Sequence, residues 1–179
     1  MGRVVNPKQF QTGDTVTHAR SLLGLVLVRT IAGKGVRHVI TEVEAYDGER
    51  DLACHASKGR TQRTEVMYQA GGIWYVYLCY GVHEMLNLVV GPEGYPAAVL
   101  IGGVSDISGP GRLTKFLRIG RPLNGRLAHP GSGLHLEDTG LVVRPRCIKA
   151  GPRIGVKYAG PVWASKPWRF WIEPPETEG

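Results

Sequence analysis

Hydrophobic positions along this chain change period several times, and each change predicts an element. Apolar side chains at 16, 19, 22 and 23 mark one helical face, which Asp14 or Thr15 can cap and Gly24 stops. Leu25 to Ile31 reads as a buried strand, and Val36 to Tyr46 is rich in β-branched residues. The Ala-Gly-Lys-Gly turn at 32–35 predicts that the two pair antiparallel. Asp47 to Thr64 is polar, broken by glycines and without a clean period, so it reads as a loop. Ile73 to Cys79 and Glu84 to Val90 form a hairpin around Tyr80-Gly81-Val82-His83, where Gly81 permits the turn. Ala97 to Val104, Leu141 to Arg146 and Trp168 to Ile172 complete the strands. Gly109 to Arg118 is a second helix, entered through a glycine-rich turn whose amides are suited to a phosphate.

This order predicts an α+β fold: a single mixed domain over residues 1–179 with a curved, mainly antiparallel sheet, flanking helices and a protruding β-hairpin. No internal repeat, low-complexity tract or linker divides the chain. Flexible tails are expected at about 1–13 and 173–179.

Length and composition narrow the class. With 179 residues, 42% hydrophobic and 21% charged, the chain can bury one sizeable core and is neither disordered nor fibrous. No apolar run approaches the roughly 20 residues that span a bilayer, and the N-terminus lacks a signal-peptide block, so a cytoplasmic location away from membranes is expected. Cys54, Cys79 and Cys147 are odd in number and widely spaced, as reduced thiols are. A net charge of +7 and a pI near 9.5 favour a polyanionic partner, because clustered cations displace counterions from phosphates. The basic loop and the second helix supply Arg60, Arg63, Arg112 and Lys115 as candidate phosphate contacts.

Candidate chemistry concentrates in two strands. In VITEVEAY (39–46), strand periodicity puts Glu42, Glu44 and Tyr46 on one face and Val43 and Ala45 on the other. A carboxylate beside an aromatic ring can activate water against a flat substrate; the plainer reading is that both glutamates line a solvated face. In the hairpin, Tyr75, Tyr77 and Cys79 share one face and Trp74, Val76, Leu78 and Tyr80 the other, which burial on both sides of a strand also explains. Tyr80 abuts the turn, where a ring projects outward and can wedge between stacked bases. Asn87 interrupts an apolar strand and needs a hydrogen-bond partner or a ligand edge. His55 in ACHASKGR is either solvated or a stacking group. A zinc site from Cys54, His55, Cys79 and His83 is a rival reading without Cys-x-x-Cys or His-Glu-x-x-His spacing. No phosphate-loop or dinucleotide signature is present.

The blocks LLGLVLVR (22–29), TEVEAYDGERDLACHASKGRTQR (41–63), YVYLCYGVHEMLN (75–87), AAVLI (97–101), SGPGRL (108–113) and RIGVKYAGPVWASKPWRFW (153–171) together resemble the alkyladenine (3-methyladenine) DNA glycosylases of the mammalian type. Glu-x-Glu-Ala-Tyr and Tyr-Val-Tyr-x-x-Tyr-Gly are the most specific of them. The resemblance implies that Glu44 deprotonates the water attacking C1′ and that Tyr46, His55 and Tyr77 sandwich an extruded base. It puts Asn87 at the pocket floor, where it would clash with the amino group of guanine, and adds Ala53 and the backbone of Val156 to the same pocket. Tyr80 would fill the gap left in the duplex, with the neighbouring rings as structural support. The activity implied is that of a monofunctional glycosylase of base excision repair. It needs no metal or other cofactor and acts as a monomer on double-stranded DNA carrying 3-methyladenine, hypoxanthine or related purines.

Three places depart from the resemblance. Gly102 and Gly103 follow AAVLI where an arginine and a small residue are usual, the interval Val104 to Ser108 is short enough to omit a helix, and TQRTE replaces a Thr-Pro-Arg pattern. Two rival functions remain at this level. One is a non-catalytic nucleic-acid binder using the hairpin as a stacking platform. The other is a carbohydrate hydrolase using Glu42 and Glu44, although i and i+2 residues project side by side rather than facing each other across a bond.

Overall fold

Alternating apolar positions and turn chemistry build most of this chain into one antiparallel sheet. The computed structural model describes residues 2–173. In chain order its elements begin with β1 (Arg3–Val4), α1 (Thr15–Leu22), β2 (Val26–Ile31) and β3 (Lys34–Asp47). They continue with β4 (Trp74–Cys79), β5 (His83–Val89), β6 (Ala97–Val104), β7 (Ile107–Ser108) and α2 (Pro110–Phe116). The last are β8 (Leu134–Asp138), β9 (Ile148–Gly151), α3 (Gly160–Ala164) and β10 (Arg169–Ile172). The α+β expectation holds: the sheet runs β1-β8-β2-β3-β6-β5-β4, β7 adds to β6, and β10 joins β3 to β9.

The 14-residue β3 is the spine. Its first half pairs with β2 from Lys34 to Val39. Its second half pairs with β6 and with β10, so strands flank Glu42 to Glu44 on both edges. A register irregularity between Ile40 and Val43 marks the changeover, and a bulge there bends the strand and re-aims its side chains. Val43 and Ala45 enter the main core, leaving the glutamates on the opposite face. Helix α1 is capped as expected, with the Asp14 side chain accepting from the Thr17 amide, and it buries Ala19 and Leu22 in the same core.

Strand β4 separates two apolar clusters. Trp74 and Val76 point into the main core, where the Trp74 indole donates to the Leu134 carbonyl at 3.0 Å. Tyr75 and Tyr77 turn the other way, toward Met67 and Cys54. At the hairpin end Cys79 pairs with His83, leaving a three-residue loop in which Tyr80 (φ 50°) and Gly81 (φ 65°) are both left-handed. Glycine adopts that conformation freely; tyrosine does so at a cost.

Two expectations are corrected. Leu141 to Arg146 is not a strand: it is irregular backbone ahead of a short turn at Pro145–Cys147, and Val142 is 82% exposed. Its β-branched residues lie between Gly140, with φ 77°, and Pro145, which has no amide for a ladder. The strand of this region is β8, paired with β1 and β2. The supposed N-terminal tail is also packed, since β1 extends the sheet and Phe10 is in the main core. Glu173 donates its amide to the Cys147 carbonyl, and the remainder of the expected C-terminal tail lies outside the described residues. Between β6 and α2 there is a tight turn with β7 and no helix. The three cysteines are free thiols, and among the described residues no helix is long and apolar enough to cross a membrane.

Candidate active site

Glu44 is 3% exposed, and the plainer reading of it as a solvated surface acid fails. Its Oε2 accepts the Tyr46 hydroxyl at 2.6 Å, and its Oε1 accepts the Ile154 amide at 2.8 Å. Burial raises its pKa above the ordinary carboxylate value, against the lowering effect of these two donors; the charge of Glu42 raises it further and that of Arg153 lowers it. Burial and the neighbouring Glu44 push the Tyr46 phenol well above its usual value, so it remains a donor.

Tyr46 forms one wall of a cavity open to solvent, which Ala53, Met67 and Asn87 also line. His55 and Tyr77 belong to the same lining and touch each other edge to face, with ring centroids 4.5 Å apart. Tyr75 lies behind them, its ring 5.2 Å from that of Tyr77 and its hydroxyl 3.0 Å from His55 Nδ1. Among the described residues no ring pair joins Tyr46 to this group. The cavity is the space between them.

Burial, with Arg63 and Lys58 nearby, lowers the His55 pKa to about 4, so the imidazole is neutral near pH 7. Asn87, also in the lining, donates its amide to the Tyr75 carbonyl at 3.1 Å. Among the described residues its Oδ1 accepts nothing.

A buried ion pair holds the Tyr46 wall from behind. Arg153 and Asp51 are both fully buried, with Arg153 Nη2 donating to Asp51 Oδ1 at 2.9 Å. The same guanidinium donates to the Ala45 carbonyl at 2.8 Å and packs over the Tyr46 ring. Asp51 also accepts the amides of Asp47 and Ala53, each at 3.0 Å. Three segments of chain therefore converge beneath Tyr46.

The structure brings together Glu44, Tyr46, Ala53, His55, Tyr77 and Asn87. Val156 is set behind the cavity wall. It does not line the cavity but is buried with Ala53 and Ala159 behind Tyr46, and the residue of its segment that reaches Glu44 is Ile154. Tyr80 stands apart at the hairpin tip, 92% exposed. Arg63 is at the rim, over the Tyr77 ring and donating to the Leu78 carbonyl. Arg60 is already engaged by both oxygens of Glu65, at 2.7 and 2.8 Å, and is not the free cation the sequence suggests. Arg112 and Lys115 are exposed on α2, without an acidic partner among the described residues. Among these residues no three His, Cys, Asp or Glu side chains gather as a metal site requires, and Cys79 pairs with His83 across the hairpin instead.

Four participants escape sequence reasoning. Tyr75 belongs to the cavity lining rather than to support alone. Tyr158 also lines it and donates to the Ala53 carbonyl at 2.8 Å. Asp51 and Arg153 fall inside quoted blocks, but nothing local says that they pair across the fold.

The chain is similar to known proteins over nearly its whole length. The profile described as Methylpurine-DNA glycosylase (MPG) matches residues 9–107 and 104–176. A Myxococcus xanthus protein is 44% identical over 176 residues, covering 93% of this chain and 89% of its own. Relatives from Methanocella arvoryzae and Sodalis glossinidius are 43% and 40% identical, with coverage of 93% and 95% of this chain and 92% and 98% of theirs. All three bear the name "Putative 3-methyladenine DNA glycosylase". Buried acid, ring-lined cavity and similarity over nearly the whole chain lead to one assignment: this protein belongs to the methylpurine-DNA glycosylase family and is a hydrolase of N-glycosyl bonds.

Proposed function

We propose that this glycosylase extrudes a damaged purine from duplex DNA into the cavity between Tyr46 and the His55–Tyr77 pair and hydrolyses its bond to C1′. 3-Methyladenine and hypoxanthine are the substrates. A glycosidic bond inside a stacked duplex is out of reach, so the nucleotide must leave the helix. Two opposed aromatic walls then hold the base by its faces, at about 1–3 kcal/mol per stacking contact, and favour electron-poor alkylated rings.

In the reaction, the C1′–N9 bond breaks with its electron pair going to the purine. A water oxygen bonds to C1′, and the water's proton passes to the Glu44 carboxylate. An alkylated, cationic base departs neutral, whereas hypoxanthine leaves as an anion that takes up a proton from solvent. The negative charge of Glu44 also stabilises the oxocarbenium-like centre. The carboxylate keeps a lone pair on each oxygen beyond those used by Tyr46 and Ile154, so it can still accept from water. Tyr80 occupies the gap in the duplex, and Arg63, Arg112 and Lys115 contact phosphates. Among the described residues no lysine lines the cavity, in keeping with a monofunctional enzyme that leaves an abasic site.

The observation that carries this reading is Glu44 itself, an acid buried against the cavity wall with its proton affinity raised by burial. The rival pairing with Glu42 loses support because Arg169 holds that carboxylate. Incubation of the protein with duplexes carrying hypoxanthine or alkylated adenine, in EDTA, should release free base and leave alkali-labile sites. Glu44→Gln should lower that rate by about 10²–10⁴-fold. Undiminished release by the variant would remove Glu44 from the reaction. Lesion binding without release by the wild-type protein would favour a non-catalytic binder.

A further inference from the structure

The sheet face that carries Glu44 also carries an ion pair that the reaction above does not use. Glu42, two residues earlier on β3, accepts Arg169 Nε at 2.8 Å and Arg169 Nη2 at 3.2 Å. In the β10–β3 register Arg169 stands directly opposite Glu44, so the pleat turns both side chains to the same face. The Arg169 guanidinium lies 4.6 Å from the Trp171 ring centroid, which fixes it from its far side. Beneath the pair is bare backbone: a Cβ at Gly102 would come within 3.2 Å of Glu42 Cγ and Oε1. Gly102 is where the resemblance leads one to expect an arginine. Here the cation on this face comes from β10.

We propose that Arg169 is a positioning residue for the glycosylase reaction: by pairing with Glu42 it neutralises the acid beside Glu44 and keeps Glu44 an ionised, proton-accepting carboxylate. The inference rests on the reading of Glu44 as the base. The polar and charged groups facing Glu44 are few. Strand β3 supplies the Tyr46 hydroxyl and Glu42, and β4 supplies Tyr77. The segment after β9 supplies the Ile154 amide and Arg153, whose charge is shared with Asp51. Strand β10 supplies Arg169.

Glu44 already resists ionisation because it is buried, and an unpaired negative charge two residues away on the same face would make it resist further. Arg153 is committed to a buried carboxylate of its own. That leaves Arg169 as the group able to cancel Glu42.

The test is single-turnover release of hypoxanthine from duplex DNA as a function of pH, for wild type, Arg169→Met, Glu42→Gln and the double variant. Arg169→Met should move the acid limb of the rate profile upward by about half to one pH unit, with most activity recovered at alkaline pH and KM unchanged. Glu42→Gln frees the guanidinium toward Glu44 and should move the limb downward. The double variant should return close to wild type.

Acid limbs unmoved in both single variants would overturn the proposal. So would an equal rate loss at every pH in Arg169→Met, which marks a packing role, or weaker DNA binding with an unmoved profile, which marks a phosphate contact. Should Arg169→Met fail to fold, Glu42→Gln alone decides, because it removes the charge that Arg169 offsets. These outcomes differ from failure of the base assignment, in which Glu44→Gln would still release base.

Discussion

The buried acid beside Tyr46 and the tip of the hairpin belong to one sheet, yet they are built on opposite principles. Behind Tyr46, Glu44 is 3% exposed, both of its oxygens are bonded, and the Tyr46 ring packs on a buried Arg153–Asp51 pair. At the tip, Tyr80 is 92% exposed in a left-handed conformation. A group that moves a proton must be in place before substrate arrives, because reorganisation during the reaction costs rate. A group that replaces a base in a duplex must be presented outside the fold. In the proposed reaction, buried polar order serves chemistry and exposed apolar strain serves recognition.

Breaking the buried ion pair should have the largest effect. Asp51→Asn leaves the Arg153 charge buried and unmatched, which costs about 3–5 kcal/mol in stability. Urea unfolding should show it, and a loss within error would mean the pair does not hold the wall. Removing the tip should separate the two regions cleanly. Tyr80→Ser should leave stability within about 0.5 kcal/mol while weakening capture of lesion duplex by roughly tenfold. Equal capture by both proteins would count against the wedge.

Acid should loosen the cavity wall before it affects the tip. Burial holds the His55 pKa at about 4 in the folded protein against an ordinary 6.5, so between those values the unfolded chain binds more protons. Stability contributed by neutral His55 is therefore complete above pH 6.5 and is lost as pH falls toward 4. Thermal melts of wild type and His55→Gln should converge over that window; parallel curves would refute the assignment.

The smallest effect concerns the outer cations. Removing Arg112 or Lys115 should lower the salt dependence of DNA binding by about one unit of slope, whereas removing Arg60, already held by Glu65, should leave it unchanged. A matching drop for Arg60 would show that the Glu65 pairing opens on DNA.

Local pattern made the hairpin, β2, β3, β6, β10 and both longer helices legible, because turn residues and apolar periods lie within a few positions of one another. It failed where neighbours are distant. The stretch Leu134–Asp138 contains His135, Glu137 and Asp138 and reads as polar, yet it is a strand because β1 and β2 flank it and Arg37 pairs with Glu137. Glu44 and Tyr46 were legible as an i, i+2 pair. The Arg153–Asp51 pair spans 102 residues, and Tyr158 reaches Ala53 across 105. Nothing in local composition marks such pairs. The Ile154 amide carries no side-chain signal at all.

The central claim is that one damaged purine occupies the space between Tyr46 and the His55–Tyr77 pair while Glu44 waits beside its sugar. A crystal structure of the Glu44→Gln protein on a hypoxanthine-containing duplex tests it most directly. The account predicts the purine between those rings, its C1′ facing residue 44 with room for one water, and Tyr80 in the vacated stack. A lesion still stacked in the duplex, or a purine held elsewhere on the protein, would contradict it.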